Sequence, residues 1–104
     1  MKIPFVTKLS GVTFGDAQEN IRKFGCQDIG TYALIREKNN PHDPNAVRVA
    51  LFGEYFMGYI PKNVAEYLAP MMDSGKRYIA EFVCLNACSF SDTVGMTIRV
   101  SQIS

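Results

Sequence analysis

Arg36-Glu37-Lys38-Asn39-Asn40-Pro41-His42-Asp43-Pro44-Asn45-Ala46-Val47 is a dense polar run between two β-like segments, residues 29–35 and 46–52. It holds three Asn, two Pro, one Asp and the only His of the chain. Asn and Asp side chains bond nearby backbone amides, while Pro fixes φ and removes a donor, so such a run specifies one loop shape. Two residues suffice to join neighbouring strands. The excess length makes the loop itself the candidate for function.

After the loop, Val47, Val49 and Leu51 share one strand face and Arg48 takes the other. Gly53-Glu54 predicts a tight hairpin turn with Gly in the first central position. Residues 55–60 form the returning strand, with Tyr55, Met57 and Tyr59 on one side and Phe56 and Ile60 on the other. Pro61 ends it and opens a helix, where its missing donor costs nothing. Val64, Leu68, Met71 and Met72 mark the buried face of that helix, and Gly75 closes it. Pro70 inside the span predicts two helical pieces or a kink near Leu68–Ala69.

Before the loop, residues 2–9 and 12–14 read as strands. Asp16-Ala17-Gln18-Glu19 has capping-box spacing. Ala17, Ile21 and Phe24 form the apolar stripe of a short helix that Gly25 stops. Towards the C-terminus, residues 77–85 and 93–100 are two more strands joined by a turn over 86–92. Val94, Met96, Ile98 and Val100 alternate cleanly with polar or small residues, as in a half-buried strand.

At 104 residues the chain is long enough for one domain with its own core, and 1–104 is read as a single unit. Its 47% hydrophobic and 20% charged residues are those of an ordinary globular chain. No apolar run reaches the ~20 residues of a membrane helix, so no membrane partner is expected. Cys26, Cys84 and Cys88 make an odd count without C-x-x-C, which points to a reducing, cytoplasmic setting and to small core residues. A net charge of +1 limits any nucleic-acid site to a local patch. No metal cluster, nucleotide loop or nucleophile–base pair stands out, so neither an enzyme nor a cofactor is expected. About six short strands with two short helices predict a mainly β fold, a compact antiparallel OB-like barrel whose closure removes exposed edges.

The run REKNNPHDPNAVRV, followed by GYIPKNVAEYLAPMMDSG and preceded by GVTFGDAQENI, resembles the HIRAN domain family over about residues 11–83. The resemblance implies a modified OB-like barrel that binds single-stranded DNA, in characterised members by holding the free 3′-hydroxyl end, with no catalysis of its own. It further implies a role in DNA repair or processing beside a helicase or nuclease partner.

Carried onto this sequence, the motif makes Asp43 the acceptor for a terminal hydroxyl, since an ionised carboxylate accepts strongly. Phe14, His42 and Tyr59 are the aromatic plates for bases, and Lys62 at the helix start is the phosphate cation. Three positions depart from the pattern: Thr13 precedes Phe14 where members carry a basic residue, His42 stands where Tyr is common, and Tyr59 where some have His. Phe90 is a guess for a further pocket residue. Arg36, Lys38, Arg48, Arg77 and Arg99 are candidates for a longer phosphate track. Beside these readings stand blander ones: Asp43, Asn39, Asn40 and Asn45 as pins of the loop, Tyr59 as plain barrel surface, and the whole chain as a protein-interaction or scaffold module that keeps the barrel without binding DNA.

Overall fold

The computed structural model describes residues 2–87 and 91–104. In chain order the elements are β1 (Phe5–Lys8), α1 (Ala17–Phe24), a 3₁₀ turn (Gln27–Ile29), β2 (Thr31–Arg36), β3 (Val47–Leu51), β4 (Tyr55–Tyr59), α2 (Lys62–Asp73), β5 (Tyr78–Ala87) and β6 (Val94–Gln102). The strands form one antiparallel sheet ordered β1-β6-β5-β2-β3-β4. It curls into a half-barrel, and a bridge from Ser10 to Tyr59 joins its two edges, each backbone N–H donating to the other residue's carbonyl at 2.8 Å. The mainly β, barrel-like class expected from the sequence is therefore borne out.

Val47, Val49, Leu51, Met57, Met96, Ile98 and Val100 are fully buried along the strands, with Ile21 of α1 and Ala65, Leu68 and Ala69 of α2 in the same core. At roughly 1.5–3 kcal/mol per large apolar side chain, this alternation is what selects the register.

Several local expectations are corrected. Residues 12–14 are turns, not a strand, because a Phe14-to-Gly11 hydrogen bond at 3.1 Å bends the chain into α1. Asp16 stands at the N-cap of α1 but makes no side-chain capping bond, and Glu19 pairs with Lys23 at 3.0 Å instead of reaching back. Helix α2 runs unbroken through Pro70. Pro70 lies in its last turn, so one lost hydrogen bond is outweighed by Leu68 and Ala69, both fully buried just before it. Gly75 does close that helix: its N–H donates to Met72 at 3.0 Å and that of Lys76 to Met71 at 3.2 Å, a Schellman arrangement. Cys26 and Cys84 are exposed rather than core residues. Strand β5 continues through Asn86 and Ala87, residues expected in the turn, and β6 begins at Val94; Phe90 and Cys88 lie outside the described residues.

The hairpin between β3 and β4 also differs. Glu54 N–H donates to Leu51 at 3.0 Å, which makes Phe52 and Gly53 the central pair, with φ of 56° and 72°. Gly53 thus holds the second central position. Phe52 is 75% exposed and sits in a backbone region that costs a non-glycine residue roughly 1–2 kcal/mol. Asn tolerates that region well. Phe52→Asn is expected to raise the thermal midpoint by a few degrees in a melt, and a lowered midpoint would show that the ring contributes packing.

Candidate nucleic-acid interface

The polar loop builds itself around Asn40. Its side-chain oxygen accepts from the N–H of His42 at 2.8 Å and of Asp43 at 3.2 Å, while its amide donates to Glu37 Oε1 at 3.0 Å. Asp43 Oδ1 accepts from the N–H of Asn45 at 2.9 Å, and Ala46 N–H donates to the Asp43 carbonyl at 3.1 Å. Asn40 and Asp43 are the loop's side-chain pins; the side chains of Asn39 and Asn45 make no such bond among the described residues.

Arg36 fastens the base of this loop. It donates to the carbonyls of Ala46 at 2.8 Å and Pro44 at 3.0 Å, and grips both carboxylate oxygens of Asp73 on α2 at 3.0 and 3.1 Å. Lys38 adds a contact to Asp73 at 3.7 Å. Arg36 and Lys38 are therefore turned towards α2, which removes them from the expected phosphate track. Arg36, then Lys38, hold the Asp73 carboxyl below its ordinary value. A depressed carboxyl contributes stability that is complete above its unfolded value and is lost as pH falls through the lower folded value. Asp73→Asn should accordingly lower the melting temperature by a few degrees at neutral pH and low salt. The difference should begin to shrink below about pH 4, where the carboxyl of the unfolded chain protonates, vanish once pH has fallen below the lower folded value, and shrink with added salt. A gap that stays constant with pH would assign the effect to hydrogen bonding alone.

On strand β4 the expected alternation fails. Val49 pairs with Gly58 and Ala50 with Phe56, leaving Met57 as the extra residue of a β-bulge. A bulge re-aims the side chains that follow it. Met57 turns into the core, fully buried, and Phe56 and Tyr59 fall on the same side, their rings edge to face at 5.2 Å. Tyr55, Met57 and Tyr59 do not share a face.

Phe56 and Tyr59 line an open cavity of about 670 Å³ whose wall also includes Ser10, Gly11, Phe14, Glu37, Asn40, His42, Asp43, Arg48, Ile60 and Lys62. It lies outside the barrel core, between the polar loop, the turn after β1 and the start of α2. All the residues singled out in the described sequence for the pocket (Phe14, His42, Asp43, Tyr59 and Lys62) border this one space. Phe14 presents its ring largely to solvent, 65% exposed. Gln18 steadies the turn that carries it, donating to the carbonyls of Val12 and Val94 and accepting from Val94 N–H, each at 2.8 Å. Gly11 leaves room between the aromatics: a Cβ there would stand 3.0 Å from Tyr59 and 3.1 Å from Phe14.

Glu37, like Phe56, is a pocket residue that the sequence did not single out. Its Oε1 accepts from Tyr59 OH at 2.9 Å as well as from Asn40, and its Oε2 lies 3.6 Å from Arg48 Nε. Burial, then the bond to Glu37, pushes the Tyr59 phenol above its ordinary value, so it stays a proton donor. Among the described residues the arrangement is a half-enclosed hollow with aromatic rings, the carboxylates of Asp43 and Glu37, and the cations Arg48 and Lys62. Its volume falls within the roughly 300–1,000 Å³ typical of ligand sites.

The family model described as HIRAN domain matches residues 10–102. The chain belongs to the HIRAN domain family. Its fold is similar to that of a protein from Lactobacillus plantarum, with TM-score 0.70 and 21% identity over 92% of this chain and 91% of the other. It is likewise similar to the HIRAN domain of human HLTF, with TM-score 0.68 and 19% identity over 94% of this chain and 73% of that one. In sequence, 58 residues are 36% identical to a Fanconi-associated nuclease 1 homolog of Oryza sativa subsp. japonica. They make up 53% of this chain and only 6% of that relative, so the chain spans a small part of it. No helix among the described residues is long and apolar enough to cross a membrane.

Proposed function

We propose that this HIRAN domain is a nucleic-acid-binding module that holds the free 3′-hydroxyl end of single-stranded DNA in the cavity between the polar loop and β4. The observation that carries this reading is the convergence of Phe14, His42, Asp43, Tyr59 and Lys62 on that one space, from three separated parts of the chain. Family membership supports nucleic-acid binding, and the site's chemistry supports an end. Asp43 spends one oxygen on the Asn45 amide, leaving the other for a donor. A terminal hydroxyl is such a donor; an internal nucleotide has that oxygen esterified. Terminal bases stack against Phe14 and Tyr59, while Lys62, exposed at the first position of α2, meets a phosphate together with the helix's free N–H groups. The domain then works as a DNA-end adaptor for helicase or nuclease activities carried elsewhere.

Labelled oligonucleotides ending in 3′-hydroxyl or 3′-phosphate test the proposal. The phosphorylated end sets a second anion against Asp43 and is expected to bind at least tenfold more weakly. Equal affinities remove end recognition, and absence of salt-sensitive binding to any single strand favours a scaffold role without DNA. Lys62→Ala should weaken both ends alike by about three- to tenfold and reduce the slope of log affinity against log salt by about 0.7, the value of one lost phosphate contact. An unchanged slope would place Lys62 outside the interface.

A further inference from the structure

Of the arginines named as candidates for a phosphate track, Arg48 stands at the cavity wall. It lies on β3 directly opposite Tyr59 in the antiparallel register, so its side chain emerges beside the Tyr59 ring and borders the cavity. Its Nε is shut off from solvent and donates to no acceptor among the described residues. The nearest carboxylate oxygen, Glu37 Oε2, is 3.6 Å away, beyond hydrogen-bonding distance, although the side chain as a whole is one-third exposed. Its neighbours are otherwise committed: Glu37 Oε1 accepts both Tyr59 OH and Asn40. An unspent buried donor on a cation is costly, of order 1–3 kcal/mol or more, and native proteins keep few of them.

We infer that Arg48 is a second phosphate-binding residue of the site, positioned by Glu37. This rests on the reading of the cavity as a DNA-end pocket and adds to it a cation that reads the backbone next to the stacked base. The guanidinium is planar and carries five N–H donors; Nε is closed to solvent, while the side chain as a whole is one-third exposed and borders the cavity. Glu37 neutralises part of its charge when the cavity is free of strand and fixes its plane. A phosphodiester entering beside Tyr59 supplies charged acceptors for the terminal N–H groups of the guanidinium. Lys62 and Arg48 then both meet the strand around the Tyr59 plate, and Glu37 aligns both the plate and the arginine.

The test is a fluorescence-anisotropy titration of a labelled 3′-hydroxyl oligothymidylate at several salt concentrations, on wild type, Arg48→Met and Arg48→Lys. For Arg48→Met the expected result is an affinity reduced about tenfold or more and a salt slope reduced by about 0.7. Arg48→Lys should keep the slope and recover part of the affinity, since it restores charge without the planar fork. Arg48→Gln supplies the same neutral comparison if the methionine variant does not fold. An unchanged slope in the neutral variants while wild type still prefers the 3′-hydroxyl end overturns the role of Arg48 and leaves the end-binding reading standing. No salt-sensitive binding by wild type overturns both.

Discussion

Asp43→Asn is expected to erase discrimination between 3′-hydroxyl and 3′-phosphate ends while leaving the fold intact. The two oxygens of Asp43 do separable work. Oδ1 caps the Asn45 amide at 2.9 Å, a turn bond that an asparagine oxygen reproduces with the same geometry. Asp43 borders the cavity, and at its second oxygen the substitution replaces a charged acceptor by an NH₂ donor. A hydrogen bond to a charged group contributes roughly 1.5–3 kcal/mol, so affinity for a hydroxyl end should fall about 10- to 100-fold. Over the same change a 3′-phosphate loses a like-charge neighbour and should bind better, so the two affinities converge. Asp43→Ala should show the same convergence plus about 1 kcal/mol of lost stability from the missing turn bond. Parallel titrations of both ends, with a thermal melt of each variant, separate the two oxygens. An Asp43→Asn protein that still prefers hydroxyl ends by the wild-type ratio would leave Asp43 as a loop pin and nothing more.

That division of labour bears on what was legible in the chain. The polar loop announced itself because Asn, Asp and Pro act through their nearest neighbours in sequence, and its side-chain bonds span two or three residues. Helix α1 and the strands carrying Val47 to Leu51 and Val94 to Val100 were equally plain, since their burial follows the local period. What escaped depends on partners far along the chain. Glu37 looked like one charge in a charged run; its function as the support of Tyr59 exists only because β4 returns beside the loop, 22 residues later. Arg36 looked like a free cation, yet its partner is Asp73, 37 residues on. Pro70 was given its intrinsic propensity, and the packing of α2 overrode it. The bulge at Met57 had a visible signal, an isolated glycine inside a strand pattern, which often marks a bulge or a close backbone approach.

Gly58 is therefore the position where the largest loss of stability is expected on adding a single methyl group. It pairs with Val49 immediately after the bulge, at φ 149°, a conformation that an L side chain rarely adopts. A Cβ there would stand 2.8 Å from the carbonyl oxygen of Ser10 and 3.3 Å from Leu9 Cβ, both on the opposite edge of the half-barrel. The obstructing atom is backbone and cannot swing away. Relief requires either opening the Ser10–Tyr59 seam, with its two 2.8 Å hydrogen bonds, or flattening the bulge that turns Met57 inward. Backbone strain of roughly 1–3 kcal/mol and an overpacking cost of similar size together predict about 2–5 kcal/mol for Gly58→Ala. For a domain of this size that corresponds to a fall in melting temperature of roughly 10 °C or more. The site should suffer with the seam, because Tyr59 follows Gly58 and its carbonyl and amide form that bridge. If the variant remains folded at low temperature, its affinity for a hydroxyl-ended strand should drop while the Asn40-centred loop, whose bonds are local, keeps its amide protection in hydrogen exchange. A Gly58→Ala protein that melts with wild type would mean that the two edges of the sheet are not held together at Ser10 and Tyr59, and that Tyr59 owes its place in the cavity wall to Glu37 alone.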